Sequence, residues 1–134
     1  MPLLKRVRVL AAKIETSIGA AESLSGTNAT NNCYDIMMQP DIPVDDREAQ
    51  GSFSRLAGIP GARTGKCTFK VGICGTGSGG IPTWASTFLP ACGWVATSQV
   101  YTPRAEAPGS NVKTLTNGVY ENGRKKLLRG AIGT

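Results

Sequence analysis

The stretch KCTFKVGIC, residues 66–74, decides the fold class because its apolar and polar side chains alternate with a period of two. Cys67, Phe69, Val71 and Ile73 lie on one face of the extended chain, and the residues between them lie on the other. One buried face and one wetter face are typical of an antiparallel sheet. This stretch therefore predicts a mainly β protein.

Short elements joined by turns are predicted on both sides of this strand, because 17 glycines and 8 prolines lie mostly in short clusters. The strongest turn signal is Asn122-Gly123, since both residues tolerate a positive φ, and it predicts a β-hairpin. The predicted elements are, in chain order, a short helix or irregular strand over 9–18, a loop over 19–32, a strand over 33–42, a helix over 82–92, a strand opening at 100–102, and hairpin strands over 111–120 and 125–131.

Residues 43–65 form a long connection that is rich in glycine, serine and proline. Connections of this length inside a compact domain are usually functional or disordered in isolation, and we expect neighbouring copies to order this one. Carboxylates at its start suit a metal or acid–base site, but carboxylates beside an arginine are more typical of a solvated, salt-bridged loop. These carboxylates belong to Asp41, Asp45, Asp46 and Glu48. We predict a contact loop here and no metal site.

The composition bounds the function. The 134 residues have the length of one domain, and no stretch approaches the roughly 18 apolar residues that span a bilayer. Residues 1–8 form a basic N-terminal segment that lacks the pattern of a signal peptide, so synthesis in the cytoplasm is expected. The net charge of +6 fits either an acidic partner or simple solubility. The lack of histidine removes the commonest general base and metal ligand, which argues against an enzyme.

Residues 75–80, GTGSGG, match the glycine pattern of a dinucleotide-binding turn between a strand and a helix. The preceding strand alternates, however, whereas a strand of a parallel dinucleotide-binding sheet is apolar on both faces. No acidic residue lies near position 95 to hold a ribose, and the chain is too short for a doubly wound sheet. We therefore predict a flexible turn and no bound cofactor.

Four cysteines, at positions 33, 67, 74 and 92, form no CxxC pair, so a zinc site is not indicated. In a reducing cytoplasm the simplest interpretation is four buried free thiols. The alternative is that Cys33 and Cys74 are exposed and cross-link neighbouring copies after export from the cell. Cys67, on the apolar face of its strand, is predicted to lie in the core.

Several short motifs follow one another in a characteristic order. They are Val9-Leu10-Ala11-Ala12-Lys13-Ile14-Glu15 before Ile18-Gly19, then Gly75-Thr76-Gly77 after a strand, then Trp84 and Leu89-Pro90-Ala91-Cys92-Gly93 in a short helix, then Tyr101-Thr102-Pro103, and finally, after Asn122-Gly123, Leu128-Arg129-Gly130-Ala131-Ile132-Gly133-Thr134. Together they cover nearly the whole chain and resemble the tail tube (major tail) protein family of tailed bacteriophages. Members of that family continue beyond the Gly-Thr at which this sequence stops.

The resemblance implies one domain over 1–134, an antiparallel β-sandwich or barrel with one short helix and long assembly loops. It implies hexameric rings of identical copies that stack into a hollow tube, contacts with other tail proteins, and DNA passing transiently through the lumen. The implied location is the virion tail, with no catalytic residue, cofactor, metal or membrane partner. Two alternatives stay open: another virion ring or decoration protein of related fold (tail completion, tail tip or capsid cement), and a basic nucleic-acid-binding module.

Three groups of side chains are predicted to make the contacts. The basic cluster on the hairpin suits phosphates or an acidic neighbour, although no aromatic platform of an RNA-binding sheet accompanies it. The tryptophans and their neighbour suit core or interface anchors. The candidates are Asp45, Asp46, Arg47, Phe53 and Arg55 in the assembly loop, Lys5, Arg6, Arg8, Arg124, Lys125, Lys126 and Arg129 as basic contacts, and Trp84, Phe88 and Trp94 as anchors.

Overall fold

The computed structural model describes residues 8–29, 31–47, 56–103 and 113–134, which are mainly β. The elements in chain order are β1 (Arg8–Ile14), a 3-10 turn (Gly26–Ala29), β2 (Cys33–Asp41), β3 (Val44–Asp45), β4 (Ile59–Pro60), β5 (Thr64–Val71), α1 (Thr83–Ala91), β6 (Trp94–Thr97), β7 (Val100–Pro103), β8 (Leu115–Glu121) and β9 (Arg124–Ala131).

The described strands form small antiparallel sheets and no closed barrel. The largest sheet has three strands in the order β1-β8-β9, and the other three sheets are the pairs β2-β5, β3-β4 and β6-β7. The predicted mainly β class is thus confirmed. Within the same ranges, no helix is long and apolar enough to cross a membrane.

The central strand β8 is covered on both faces. Its residues from Leu115 to Val119 are all buried. On one face, Val119 pairs with Leu10 of β1 and both side chains enter the core. On the other face, Gly118 leaves room for Leu24, whose Cδ1 would lie 2.5 Å from a Cβ placed on that glycine. The segment after β1 therefore crosses the outer face of the sheet and covers it.

The core lies between the three-stranded sheet, the β2-β5 pair and α1. The rings of Phe69 on β5 and Phe88 on α1 pack with centroids 5.0 Å apart. Ile36 of β2 joins the same cluster, which also contains Leu10, Ala12, Ala91, Leu115 and Val119. Burial of these apolar side chains is the main favourable contribution to folding.

Several predicted elements are confirmed with small shifts of their ends. The helix spans Thr83–Ala91, with Pro82 just before it. The hairpin turns at Asn122 and Gly123, which have φ values of 48° and 75°, as a tight two-residue turn requires. The ambiguous region 9–18 contains β1, because extended pairing with β8 buries Leu10 and Ala11 on opposite faces.

Two features differ from the predictions. The hairpin formed by β6 and β7 was predicted only at its second strand, because its turn residues, Ser98 and Gln99, adopt positive φ without glycine. Ile73 was predicted to share the buried face of β5, but the strand ends at Val71 and the Ile73 side chain is 81% exposed.

The predicted long loop over 43–65 is not free of regular structure. It contains β3 and β4, and β5 begins at Thr64. The residues between 48 and 55 lie outside the described ranges. The pairing of β3 with β4 continues the β2-β5 ladder beyond Asp41 and Thr64, so the flanks of this region form a two-stranded extension.

Replacing Phe88 with alanine is expected to destabilise the fold by about 3 kcal/mol, because it removes a buried ring and leaves a cavity against Phe69. Replacing Val100, whose side chain is 60% exposed, with alanine should change stability by no more than about 0.5 kcal/mol. Urea unfolding followed by circular dichroism measures both. Equal losses for the two variants would contradict the described core.

Candidate assembly surface

The two-stranded extension lies at the surface of the described chain. We call residues 41–47 and 56–64 the arm; each of these residues is exposed. It has internal contacts all the same. The Gly61 N–H donates to the Pro43 carbonyl at 2.8 Å, and a Cβ on Gly58 would lie 2.6 Å from Val44 Cγ1. The two strands of the arm therefore hold each other in place while their side chains face solvent.

Large apolar side chains lie exposed along this arm. Ile42, Val44, Leu56 and Ile59 are 47%, 58%, 51% and 47% exposed, respectively. Exposed apolar side chains that occur together on one projection mark an interaction surface more often than scattered ones do. The sequence predicted contacts in this region from loop length alone, without the apolar signal.

The predicted acidic and basic members of this loop fall in different places. Asp45 lies in β3, where it pairs with Ile59 of β4, and Asp46 and Arg47 follow it on the exposed arm. Phe53 and Arg55 lie outside the described residues. The described residues hold no group of three or more metal-binding side chains.

The carboxylates of the described chain divide into bonded and unbonded sets. Those of Glu15, Glu22, Asp35 and Glu121 form hydrogen bonds or salt bridges within the chain. Within the described ranges, the three that form none belong to Asp41, Asp45 and Asp46, and all of them lie on the arm.

The basic cluster of β9 is exposed and partly bonded. Lys125 lies with its Nζ 5.7 Å from the centre of the Tyr120 ring, and Lys126 lies 3.5 Å from a Glu121 oxygen. Arg124 and Arg129 form no salt bridge with any residue in the described part of the chain. They leave two guanidinium groups free for a partner.

Arg8, one of the predicted basic contact residues, is bonded to other residues of its own chain. Its Nε and Nη2 both donate to Glu121 Oε1 at 3.0 Å, and its Nη1 donates to the Ile36 carbonyl at 2.9 Å. The hydrogen bond from Arg8, with help from the charge of Lys126, lowers the pKa of Glu121. Arg8 thus joins the three-stranded sheet to β2. Lys5 and Arg6 lie outside the described residues.

The three predicted anchors have different surroundings. Phe88 is buried in the core, and Trp84 packs partly against it while its Nε1 donates to the Cys74 carbonyl at 3.0 Å. Trp94 opens β6 and is 36% exposed. Only Trp94 therefore has the exposure of an interface anchor.

The glycine-rich turn over 75–80 lines an open groove together with Trp84, Leu89 and Tyr101. The strand that leads into it, β5, pairs antiparallel with β2. The parallel strand–helix–strand unit in which a dinucleotide-binding turn works is therefore not built here.

A buried acidic junction that the sequence did not reveal lies at the end of β1. The Glu15 carboxylate is buried and accepts four hydrogen bonds at 2.5–2.8 Å, from the hydroxyls of Thr114 and Thr116 and the backbone N–H groups of Gly19 and Gly130. Burial alone would raise the pKa of Glu15, but these four donors outweigh it and lower the pKa.

Glu22 extends this network on its solvent side. The Lys13 ammonium, with the hydroxyl and N–H of Thr16, lowers the pKa of Glu22 to about 2. The Glu22 N–H donates to Thr116 Oγ1 at 3.1 Å. Thr116 therefore links the Glu15 carboxylate to the backbone of Glu22, and the crossing segment after β1 is fixed to β8.

The cysteines are half-buried or exposed. Cys74 and Cys92 are exposed, so the prediction of four buried thiols is wrong for these two. The alternative, in which Cys33 and Cys74 are exposed, holds for Cys74 only: Cys33 is half-buried at the edge of the core, and burial together with the Cys67 thiol raises its pKa to about 11. Cys67 packs against the core as predicted, and burial raises its pKa as well.

No known family model, curated protein or solved structure matches this chain.

Replacing Glu15 with glutamine is expected to destabilise the protein by about 2 kcal/mol at neutral pH, because an amide cannot accept from all four donors. Since folding lowers the Glu15 pKa, the wild-type carboxylate stabilises the fold above its ordinary pKa of 4.5, and this contribution is lost as pH falls. The difference between wild type and E15Q, measured by urea unfolding, should therefore shrink below pH 4.5. Asp46→Asn, on the arm, is the control and should follow the wild type at every pH.

Thiol labelling should separate the cysteines into two classes. At pH 8, Cys74 and Cys92 are expected to react with iodoacetamide at least about tenfold faster than Cys33 and Cys67, whose burial disfavours the thiolate. Mass spectrometry of peptides measures the rates, and unfolding in urea should make all four similar. A fast Cys33 in the folded protein would contradict its position.

Proposed function

We propose that this chain is a non-enzymatic structural subunit that assembles with copies of itself into hexameric rings, which stack into the hollow tail tube of a tailed bacteriophage. The observation that carries self-assembly is the arm, which exposes four large apolar side chains and the unbonded carboxylates while having its own internal contacts. A projection of this kind gains stability when a neighbour covers it. The hexameric rings and the tube are proposed because the order of the sequence motifs resembles the tail tube family.

The strand edges support the same proposal. In the three-stranded sheet, β1 and β9 each pair on one side only within the described chain. An unpaired edge is a template for another strand, and closing a sheet across copies removes it. Identical copies that join head to tail form a closed ring when the rotation from each copy to the next adds up to a full turn.

Electron microscopy of the purified protein tests the proposal. Tubes of stacked rings are expected at high protein concentration. Isolated rings that never stack would favour the related ring or decoration proteins over a tail tube. A chain that stays monomeric at every concentration, as measured by analytical ultracentrifugation, would overturn the assembly function.

A second candidate, a nucleic-acid-binding module, is favoured by the free guanidinium groups of Arg124 and Arg129 beside exposed Lys125. Binding through phosphates would weaken steeply as salt rises. Fluorescence anisotropy with a labelled DNA duplex at 50 and 200 mM salt separates the two candidates. Tight, salt-sensitive binding by a monomer would replace the assembly proposal, whereas weak binding by an assembling chain would support it.

A further inference from the structure

The arm presents two different faces because side chains directly opposite each other in an antiparallel pair lie on the same side. Asp45 pairs with Ile59, so a free carboxylate and an apolar side chain share one face. Asp46, the next residue, lies outside that pair. One face of the arm thus combines one negative charge with one apolar contact.

Strand β9 presents the complementary pair. Leu127 and Arg129 are two residues apart on the strand and both are exposed, with Arg129 in the irregular stretch of the ladder between Leu128 and Ala131. Leu127 is 44% exposed, and Arg129 has no salt-bridge partner within the described ranges. A guanidinium beside an apolar side chain matches a carboxylate beside an apolar side chain.

We propose that the arm of one copy docks on β9 of a second copy, with Asp45 against Arg129 and Ile59 against Leu127. The proposal rests on the self-assembly proposed above and names its contact. Charge complementarity favours a second copy as the occupant. Within the described ranges the unbonded carboxylates lie on the arm, which also carries Arg47 and Arg63, while β9 carries Arg124, Lys125, Lys126 and Arg129 and no acidic residue.

The net charge of the chain strengthens this choice. At +6, two copies repel each other unless their contact brings opposite charges together. The other described carboxylates are bonded within their own chain, so the arm is where a second copy offers a free negative charge. A contact between Asp45 and Arg129 would therefore offset part of this repulsion.

Charge reversal tests the contact. Asp45→Lys and Arg129→Glu are each expected to raise the dissociation constant of self-association by about tenfold or more, because each places like charges together. The double variant D45K/R129E should return close to the wild-type value. Analytical ultracentrifugation at several salt concentrations measures all of them, and circular dichroism checks that these exposed substitutions leave the fold intact.

Neighbouring residues provide matched controls. Asp46→Lys makes the same charge change as D45K one position further along the arm, and Arg124→Glu makes the same change as R129E at the start of β9. Both controls should change the dissociation constant less than about threefold. If they weaken association as much as D45K and R129E do, the effect is net charge and the named contact is wrong.

Mixing the two single variants separates a contact between copies from one within a copy. D45K and R129E should associate poorly alone but well when mixed, because each supplies the partner that the other needs. Rescue in the double variant without rescue in the mixture would mean that an arm binds its own β9, which overturns the proposal. Assembly of the wild type with no effect of any reversal would overturn this contact and leave the assembly function standing, whereas a monomeric wild type would overturn both.

Discussion

Burying the ionised carboxylate of Glu15 costs free energy unless hydrogen-bond donors surround it, and its four donors come from separate parts of the chain. Thr114 and Thr116 stand at the start of β8, Gly130 near the end of β9, and Gly19 in the segment that crosses the sheet. The carboxylate therefore fixes the relative positions of all three strands and of their cover. Because a buried charge without its donors is far less stable than one with them, these parts form together or not at all.

This junction explains why β8 is the central strand although its sequence is polar. LTNGV, residues 115–119, contains two large apolar side chains, yet every residue is buried. Thr116 donates to the Glu15 carboxylate and accepts from the Glu22 backbone N–H, and Gly118 admits Leu24. Burial here depends on bonded hydroxyls and close approach as much as on apolar area, although within the described residues Asn117 Oδ1 is buried without a hydrogen-bond partner. The result is a body bonded on both sides of one sheet, from which the arm projects.

The sequence predicted those elements whose signals are local. Alternation in 66–74 predicted β5, and the turn chemistry of Asn122-Gly123 predicted the last hairpin, since both depend on neighbours along the chain. It did not predict the Glu15 junction, because three of the four donors are about 100 residues away or more. It did separate Asn117-Gly118, predicted inside a strand, from Asn122-Gly123, predicted at the turn, and the structure has both pairs in those places.

The predicted contact residues show the same difference between local signals and partners that are distant in the sequence. Exposure of Asp45 and of the β9 cations follows from charge, which favours water, and so the sequence found them. Arg8 carries the same charge but bonds Glu121 across the sheet, a pairing set by the register of β1 and β8. Charge type therefore predicts that a residue is polar and in need of a partner, whereas only the fold decides whether that partner belongs to the same copy.

The internal contacts of the arm bear on how strongly copies could associate. Its apolar side chains are already about half-buried, so covering one more fully contributes on the order of 1 kcal/mol. The proposed contact covers one of these four side chains, Ile59, so apolar burial on the arm contributes only about 1 kcal/mol to each contact, before the costs of association. Two contacts within the arm reduce those costs, because they order the arm before it docks. They are the hydrogen bond from Gly61 to Pro43 and the packing of Val44 against Gly58. A single contact is weak, and the proposed ring, in which every copy would both give and receive an arm, would gain stability because its last contact forms within one assembly. Weak single contacts would also let misplaced copies dissociate before such a ring closes.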